Sequence, residues 1–167
     1  RAMYRQYVID SLKYWVNEYH VDGFRFDLMG LLDIHTLNTA AEKLRRINPS
    51  IILYGEGWTG GKSPLPERLR AMKKNAVKLP QYAMFSDDFR DGVKGSVFED
   101  EECGYVNGNA SELSEMMKSV ISGGIYRMDV QRKRSECWTD TPQQVVNYVE
   151  AHDNLTLFDK LRISMSE

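Results

Sequence analysis

A short stretch early in the chain predicts a β-strand with two different faces: Val21-Asp22-Gly23-Phe24-Arg25-Phe26-Asp27-Leu28. Side chains alternate between the two sides of a strand, so Phe24 and Phe26 share one face. Arg25 and Asp27 share the other. We therefore expect a strand that packs its aromatic face into a core and carries a charged pair on its opposite face.

Segments on both sides of this strand have the apolar spacing of helices. Residues 3–19 repeat apolar side chains at steps of three and four, which predicts a helix that ends near His20. The stripe consists of Tyr4, Val8, Leu12, Trp15, Val16 and Tyr19. A second helix is predicted over 34–47, and Asn48-Pro49 ends it because a residue before proline disfavours the helical conformation.

Three further strands are predicted along the chain. Residues 51–54 form a buried strand that stops at Gly55-Glu56-Gly57-Trp58, where the glycines are expected to let the backbone turn tightly beside a carboxylate. A weaker strand is predicted over 82–85. The last covers 144–151 and ends at His152-Asp153-Asn154.

The connections between these strands are less regular. Residues 60–66 predict a loop, and the charged segment 86–91 and the glycine-interrupted segment 92–108 predict no regular element. Asn109 and Glu112 match a capping box, which predicts a helix that extends to Gly123. Residues 125–141 are expected to be irregular, and a final helix follows Leu155.

Strands that alternate with helices are typical of βα units and a parallel sheet. Each of three polar clusters follows the carboxyl end of a predicted strand. They are Arg25 with Asp27, Glu56, and His152 with Asp153. Enzymes with α/β folds build their active sites at that end of the strands, so the three clusters form one candidate site.

Composition excludes several classes of function. The 167 residues are typical of one domain with a single core, and 22 Lys and Arg residues against 24 Asp and Glu give a net charge of −2. Nucleic acid is therefore not an expected partner, and no apolar run is long enough to cross a membrane. Because the chain begins with Arg1, we expect a processed or excerpted N-terminus.

Neither a metal nor a disulfide framework is indicated. Cys103 and Cys137 lie far apart, outside any CxxC motif or Cys/His cluster. His20 and His35 are expected at the surface near helix ends, without a partner at the spacing of metal ligands. We predict no cofactor, and nothing in this segment indicates calcium.

Each carboxylate also has a simple structural explanation. Asp27 could only pair with Arg25, Glu56 could be a surface turn residue, and Asp153 could cap a helix. Three carboxylates at one edge of a sheet would nevertheless repel each other, which is unfavourable unless a function requires them.

Two carboxylates in unequal environments are the groups that hydrolyse glycosides. The charge of Arg25 favours an ionised Asp27, which suits a nucleophile. Glu56 lies between glycines near Trp58, and this apolar setting favours its protonated form, which suits a general acid and base. Trp58 could stack on a sugar or pack against the protein, and both remain open. Asp87, Asp88, Arg90 and Asp91 are expected to form a solvated charged loop rather than part of a substrate cleft.

Three segments resemble the second, third and fourth signature regions of the α-amylase superfamily of glycoside hydrolases. They are residues 21–30, Tyr54-Gly55-Glu56-Gly57-Trp58, and residues 148–154. Within the superfamily, the extended forms are most similar to the type I pullulanases: Leu28-Met29-Gly30, the flanked Glu56, and His152-Asp153-Asn154 followed by Leu155-Thr156-Leu157.

The resemblance implies part of a (β/α)₈ TIM barrel, about strands four to seven with their helices, in a partial catalytic domain over residues 1–167. Strands one to three and strand eight would be absent. Asp27 would be the nucleophile, Glu56 the acid/base, and Asp153 a third catalytic carboxylate. Arg25 and His152 would bind substrate at the cleaved bond.

The function implied is hydrolysis of α-1,6 branch linkages in pullulan and related α-glucans, with retention of configuration. The α-glucan polysaccharide would be the partner, and the chain alone is expected to be inactive and to self-associate or to need the rest of the barrel. Alternatives are an isoamylase-type debranching enzyme, another α-glucan hydrolase, or a non-catalytic glucan-binding fragment.

Overall fold

A computed structural model describes residues 2–125 and 137–165. The described residues form four β-strands: β1 (Gly23–Phe26), β2 (Ile52–Gly55), β3 (Ala83–Ser86) and β4 (Val145–Asn147). They also form five α-helices: α1 (Ala2–Tyr19), α2 (Ile34–Ile47), α3 (Asp87–Lys94), α4 (Ala110–Ile121) and α5 (Leu157–Ser164). Most of the segment 125–141, expected to be irregular, lies outside the described residues.

The strands form one sheet in the order β1-β2-β3-β4. β1 pairs in parallel with β2, with Gly23 opposite Ile52 and Phe26 opposite Gly55. β2 pairs in parallel with β3. The α/β arrangement with a parallel sheet, predicted from the alternation of strands and helices, is confirmed.

The chain divides into two compact units, residues 1–84 and 85–167, where its length alone suggested one core. The core of the first unit contains apolar residues of α1, α2, the strands and the loops between them. It includes Ile9, Val16, Met29, Leu37, Ala40, Ala41, Leu44, Leu53, Leu79, Tyr82 and Met84. The second unit has a separate cluster of Val93, Met117 and Val120.

Helix α1 buries a narrower stripe than the sequence suggested. Ile9 and Val16 are buried, whereas Trp15 and Tyr19 of the predicted stripe are exposed. These exposed rings pack on each other, with ring centroids of Trp15 and Tyr19 4.6 Å apart. Trp15 and Tyr19 therefore contact each other on the surface of α1 instead of packing into the core.

Helix α3 corrects the prediction of a charged loop over 86–91. The Ser86 side chain accepts a hydrogen bond from the Phe89 N–H at 3.2 Å and caps the helix. Asp87 and Asp88 occupy the first turn, where negative charge is favourable next to the free N–H groups. The charges that suggested a loop are therefore a helix start.

Two other predicted element ends differ from the structure. Asn109 lies at the N-cap position of α4 but makes no side-chain cap, so the predicted capping box with Glu112 does not form. β4 contains Val145–Asn147 rather than residues 144–151. Asp153 does not cap the last helix, because the Thr156 side chain accepts the Asp159 N–H at 3.2 Å. Among the described residues, no helix has the length and apolar character needed to span a bilayer.

The start of α2 is fixed by a capped carboxylate. Asp33 accepts hydrogen bonds from the Thr36 N–H at 2.9 Å and from the Thr36 hydroxyl at 2.6 Å. Arg5 of α1 lies 3.6 Å from the same carboxylate. Partial burial alone would raise the pKa of Asp33, but the hydrogen bonds from Thr36 and the charge of Arg5 outweigh it and lower the pKa from its ordinary value.

We expect Asp33→Ala to lower the free energy of unfolding by about 1 kcal/mol at pH 7, as for other lost N-caps. Asp33→Asn should lose less, because asparagine also caps helices. Since the folded protein lowers the pKa of Asp33, the contribution of its charge is present above the unfolded pKa and is lost as the pH falls through the folded value. Urea unfolding at pH 7 and near pH 3 measures this. A constant difference between wild type and Asp33→Asn would contradict it.

Candidate active site

The ends of two neighbouring strands bring the first two candidate carboxylates together. Phe26 lies opposite Gly55 in the parallel register, so Asp27 and Glu56 follow directly at the same edge of the sheet. The Glu56 N–H donates to the Phe26 carbonyl at 3.0 Å, which continues the pairing to the carboxylate itself. Convergence of carboxylates at strand ends is therefore seen for this pair.

One guanidinium joins the two carboxylates. Arg25 donates from Nη1 to Asp27 Oδ1 at 2.5 Å and from Nη2 to Glu56 Oε1. The Leu28 backbone N–H donates to the other oxygen, Glu56 Oε2, at 2.8 Å. Asp27 and Glu56 are thus separated by one guanidinium group and its two hydrogen bonds.

The two carboxylates differ strongly in exposure. The side chain of Glu56 is 7% exposed and that of Asp27 is 63% exposed. The sequence predicted unequal environments, with Glu56 in an apolar one. The surroundings of Glu56 are not apolar, because its buried carboxylate accepts hydrogen bonds from Arg25 and from the Leu28 N–H. A guanidinium carries five N–H donors, which is enough for two carboxylates. Arg25, which the sequence pattern paired with Asp27 alone, therefore also contacts Glu56.

The glycines beside Glu56 have a different role from the expected tight turn. Neither Gly55 nor Gly57 has a positive φ. A β-carbon at Gly55 would lie 2.5 Å from the Phe26 carbonyl oxygen, and one at Gly57 would lie 2.7 Å from Lys73 Cγ. Close packing, rather than backbone conformation, requires glycine at both positions.

Trp58 packs within the loop that follows β2. The Lys73 ammonium lies 5.6 Å from the centroid of its ring, within the range of a cation–π contact. Its carbonyl accepts the Gly30 N–H at 3.0 Å. Because the residue is only half-buried, a packing role does not exclude sugar stacking.

The second unit holds the other predicted site residues. His152 Nε2 lies 3.5 Å from Asp153 Oδ1, and the two side chains are 59% and 69% exposed. They belong to the loop between β4 and α5, in which Asn154 has a left-handed backbone with φ of 66°. The structure thus brings His152 and Asp153 next to each other on one exposed loop.

A buried lysine, which the sequence reasoning missed, supports this loop. Lys94 is 1% exposed, and its ammonium donates to the Leu155 carbonyl at 2.7 Å. Burial, together with the charge of Arg90, lowers the pKa of Lys94. At the other side of the loop, the Glu150 carboxylate accepts the Leu157 N–H at 2.5 Å.

Arg90 is also part of a packed network rather than a solvated loop. It pairs with Asp91 through Nε at 2.7 Å and donates from Nη1 to the Tyr148 hydroxyl at 2.8 Å. Its side chain is 11% exposed. The density of charge over 86–91 gave no sign of this, but the helical i, i+4 spacing of Arg90 and Lys94 places them on one face of α3.

Metal ligation has no candidate in this part of the molecule. Within residues 2–125 and 137–165, no three His, Cys, Asp or Glu side chains are grouped as a bound metal ion would require. His20 and His35 are exposed near the ends of α1 and α2, as expected. The candidate residues fall into two groups: Arg25, Asp27, Glu56 and Trp58 belong to the first unit, and His152 and Asp153 belong to the second.

Comparison with known proteins gives consistent relatives. The pullulanase of Bacillus subtilis (strain 168) is 38% identical over 167 residues, which are 100% of this chain and 22% of that protein. The crystal structure of apo pullulanase from Paenibacillus barengoltzii has a TM-score of 0.91 at 43% identity and covers 99% of this chain. This chain is homologous to part of the pullulanases.

A pullulanase from Anoxybacillus sp. LM18-11, complexed with maltotetraose, has a TM-score of 0.87 at 42% identity. No protein-family model matches the chain. The chain spans about a fifth of the length of the pullulanases that it matches, 22% for the Bacillus subtilis protein and 24% for the Paenibacillus barengoltzii structure. The resemblance to type I pullulanases and the expected fold class, part of an α/β barrel, are confirmed.

We expect Arg25→Ala to lower the free energy of unfolding by about 1–3 kcal/mol, because it leaves the buried Glu56 carboxylate without a charged partner. Urea unfolding measures the loss. Arg46→Ala removes an exposed pair with Glu42 and is the matched control, with an expected loss below about 0.5 kcal/mol. Glu56→Gln should recover part of the Arg25→Ala loss, since a neutral amide is less costly to bury. Equal losses for the two arginine variants would contradict the pairing seen here.

Proposed function

We propose that this chain supplies catalytic residues for the hydrolysis of α-1,6 branch linkages in pullulan and related α-glucans. The observation that carries the proposal is the pair Asp27 and Glu56, held by one guanidinium at the ends of adjacent parallel strands. The homology to pullulanases supports α-glucan as the substrate class, and the maltotetraose complex of a relative supports binding of such chains.

Asp27 is the nucleophile in this mechanism. Its exposed carboxylate can reach the anomeric carbon of a bound sugar, and a hydrogen bond from Arg25 holds that carboxylate in place. Attack forms a covalent glycosyl ester and breaks the glycosidic bond. Retaining enzymes hold their two carboxyl groups about 5 to 5.5 Å apart, and a shared guanidinium is compatible with so short a separation.

Glu56 is the general acid and base. It gives a proton to the leaving oxygen in the first step and takes one from the attacking water in the second, which releases the sugar with retained configuration. Its side chain is 7% exposed, so the carboxyl group is shielded from bulk water. Before the first step, Glu56 Oε1 must exchange its contact with Arg25 for one with the glycosidic oxygen.

Asp153 and His152 bind the sugar at the cleaved bond. Both side chains are exposed on one loop and offer a carboxylate and an imidazole to sugar hydroxyls. Asp153 acts mainly by hydrogen bonds that strengthen in the transition state, as expected for the third carboxylate of such a site. Arg25 binds and orients Asp27, and the ring of Trp58 is available for stacking on a sugar.

The test is release of reducing sugar from pullulan by the longest natural form of the protein that contains residues 1–167. Asp27→Asn should remove nearly all turnover, because no nucleophile remains. Glu56→Gln should retain more activity on an activated aryl glycoside than on pullulan, since that leaving group needs no proton. The control is Asp22→Asn, at an exposed aspartate directly before β1, and its activity should be unchanged.

Residues 1–167 by themselves should release no sugar, because accurate placement of all subsites supplies much of catalysis. If Glu56→Gln lost the same share of activity on pullulan as on the activated aryl glycoside, Glu56 would not be the general acid. Binding of pullulan without any turnover by the natural protein would favour a glucan-binding protein instead. Faster cleavage of glycogen than of pullulan would favour an isoamylase-type enzyme.

Asp153→Asn should lower kcat and kcat/KM together, by about a hundredfold or more, because it removes contacts that strengthen in the transition state. Steady-state kinetics on pullulan measure both constants. The matched control is Asp159→Asn in α5, which lies outside the loop of Asp153. A variant that raised only KM would show that Asp153 contributes to ground-state binding alone.

A further inference from the structure

The residue after the candidate nucleophile has an unusual backbone. Leu28 has φ of 41° and ψ of 50°, the left-handed region that side chains other than glycine, asparagine and aspartate rarely adopt. Among the described residues, the other non-glycine residues with positive φ are His20 and Asn154. A leucine in this conformation at a candidate site calls for a physical reason.

The conformation aims one backbone group at Glu56. Immediately after Asp27 the chain turns, so that the Leu28 N–H lies 2.8 Å from Glu56 Oε2. The other oxygen, Oε1, accepts from Arg25. Both oxygens of the buried carboxylate are therefore held, one by a side chain of β1 and one by the backbone that follows β1.

Two more contacts fasten this turn to the loop after β2. The Gly30 N–H donates to the Trp58 carbonyl at 3.0 Å, and a β-carbon at Gly30 would lie 2.6 Å from the same oxygen. The side chain of Leu28 lies over Gly60, where an added β-carbon would be 2.9 Å from Leu28 Cδ2. The left-handed residue thus lies in a turn that is fixed at both ends.

We propose that Leu28 is a positioning residue, whose left-handed backbone turns its N–H toward Glu56 Oε2 and thereby orients the carboxylate. The Leu28 N–H holds Oε2 while Arg25 Nη2 holds Oε1, so the two donors together fix the orientation of the carboxylate. Oε1 is the oxygen on the side of Arg25, which also binds Asp27. The catalytic part of this inference rests on the proposed function.

The first test compares Leu28→Gly and Leu28→Asn with Leu28→Val and Leu28→Ile in the longest natural form of the protein. Glycine and asparagine adopt the left-handed conformation readily, whereas β-branched residues resist it. We expect kcat on pullulan to fall about tenfold to a hundredfold more for valine and isoleucine than for glycine and asparagine, with KM changed less. The pH dependence of kcat should change only in the β-branched variants.

A packing role for Leu28 predicts the opposite order. Valine and isoleucine keep most of the apolar contact with Gly60, while glycine and asparagine lose it. A lower kcat in Leu28→Gly and Leu28→Asn than in Leu28→Val and Leu28→Ile would therefore overturn the proposal. Circular dichroism checks that each variant is folded.

The second test needs no activity and remains available if the β-branched variants do not fold. Hydrogen exchange resolved to the Leu28 amide should accelerate about tenfold in Glu56→Ala, which removes the acceptor, and stay near the wild-type rate in Glu56→Gln. Glu150→Ala removes a carboxylate that also accepts a backbone N–H, from Leu157, and is the matched control. It should leave the Leu28 amide unchanged.

Unaltered exchange of the Leu28 amide in Glu56→Ala would overturn the inference. If the wild-type protein hydrolyses no α-glucan, the proposed function fails, while the exchange measurement still decides whether Leu28 orients Glu56. If the protein is active and the amide does not respond, the proposed function stands and the positioning role falls.

Discussion

Two carboxylates can be held at one edge of a sheet only if something offsets their repulsion, and here that is the guanidinium of Arg25. The group contacts Asp27 on its own strand and Glu56 on the next. This contact requires parallel strands in a register that ends both at the same level, which the pairing of Phe26 with Gly55 provides. It also requires glycine at 55, where a side chain would collide with the neighbouring strand. The contact of Arg25 with both carboxylates thus depends on the strand register and on the glycine at position 55.

Much of this arrangement could be predicted from the sequence because it follows from local patterns. Alternation of Phe24, Arg25, Phe26 and Asp27 predicts which side chains share a face, and the structure has Arg25 and Asp27 in contact. The bounds of α2 follow from apolar spacing and from the Asn-Pro step that ends it. The edge at which Asp27 and Glu56 meet follows from the general rule that parallel strands end together.

Other features could not be predicted because they depend on partners distant in the chain. The hydrogen bonds of Glu56 come from residues about thirty positions earlier, so its local sequence suggested an apolar setting that the structure replaces with two donors. The left-handed backbone of Leu28 has no sequence signal, since leucine is a poor residue for it. Helix α3 was missed for a different reason, because dense charge favours both a loop and a capped helix start.

The loop of Asp153 is supported in a different way from the turn of Asp27. Asp27 and Glu56 are held through their own charges, whereas Asp153 is exposed and its loop is held through the backbone, by Lys94 at the Leu155 carbonyl and Glu150 at the Leu157 N–H. A buried ammonium is costly unless it is hydrogen-bonded, and its bond to the Leu155 carbonyl both satisfies Lys94 and fixes the loop. In the mechanism proposed above, the exposed Asp153 carboxylate meets sugar hydroxyls directly, whereas Glu56 first releases the guanidinium of Arg25. Glu56 and Asp153 therefore differ in their partners within the protein, because Glu56 is held by a guanidinium and a backbone N–H whereas the exposed Asp153 lies beside His152.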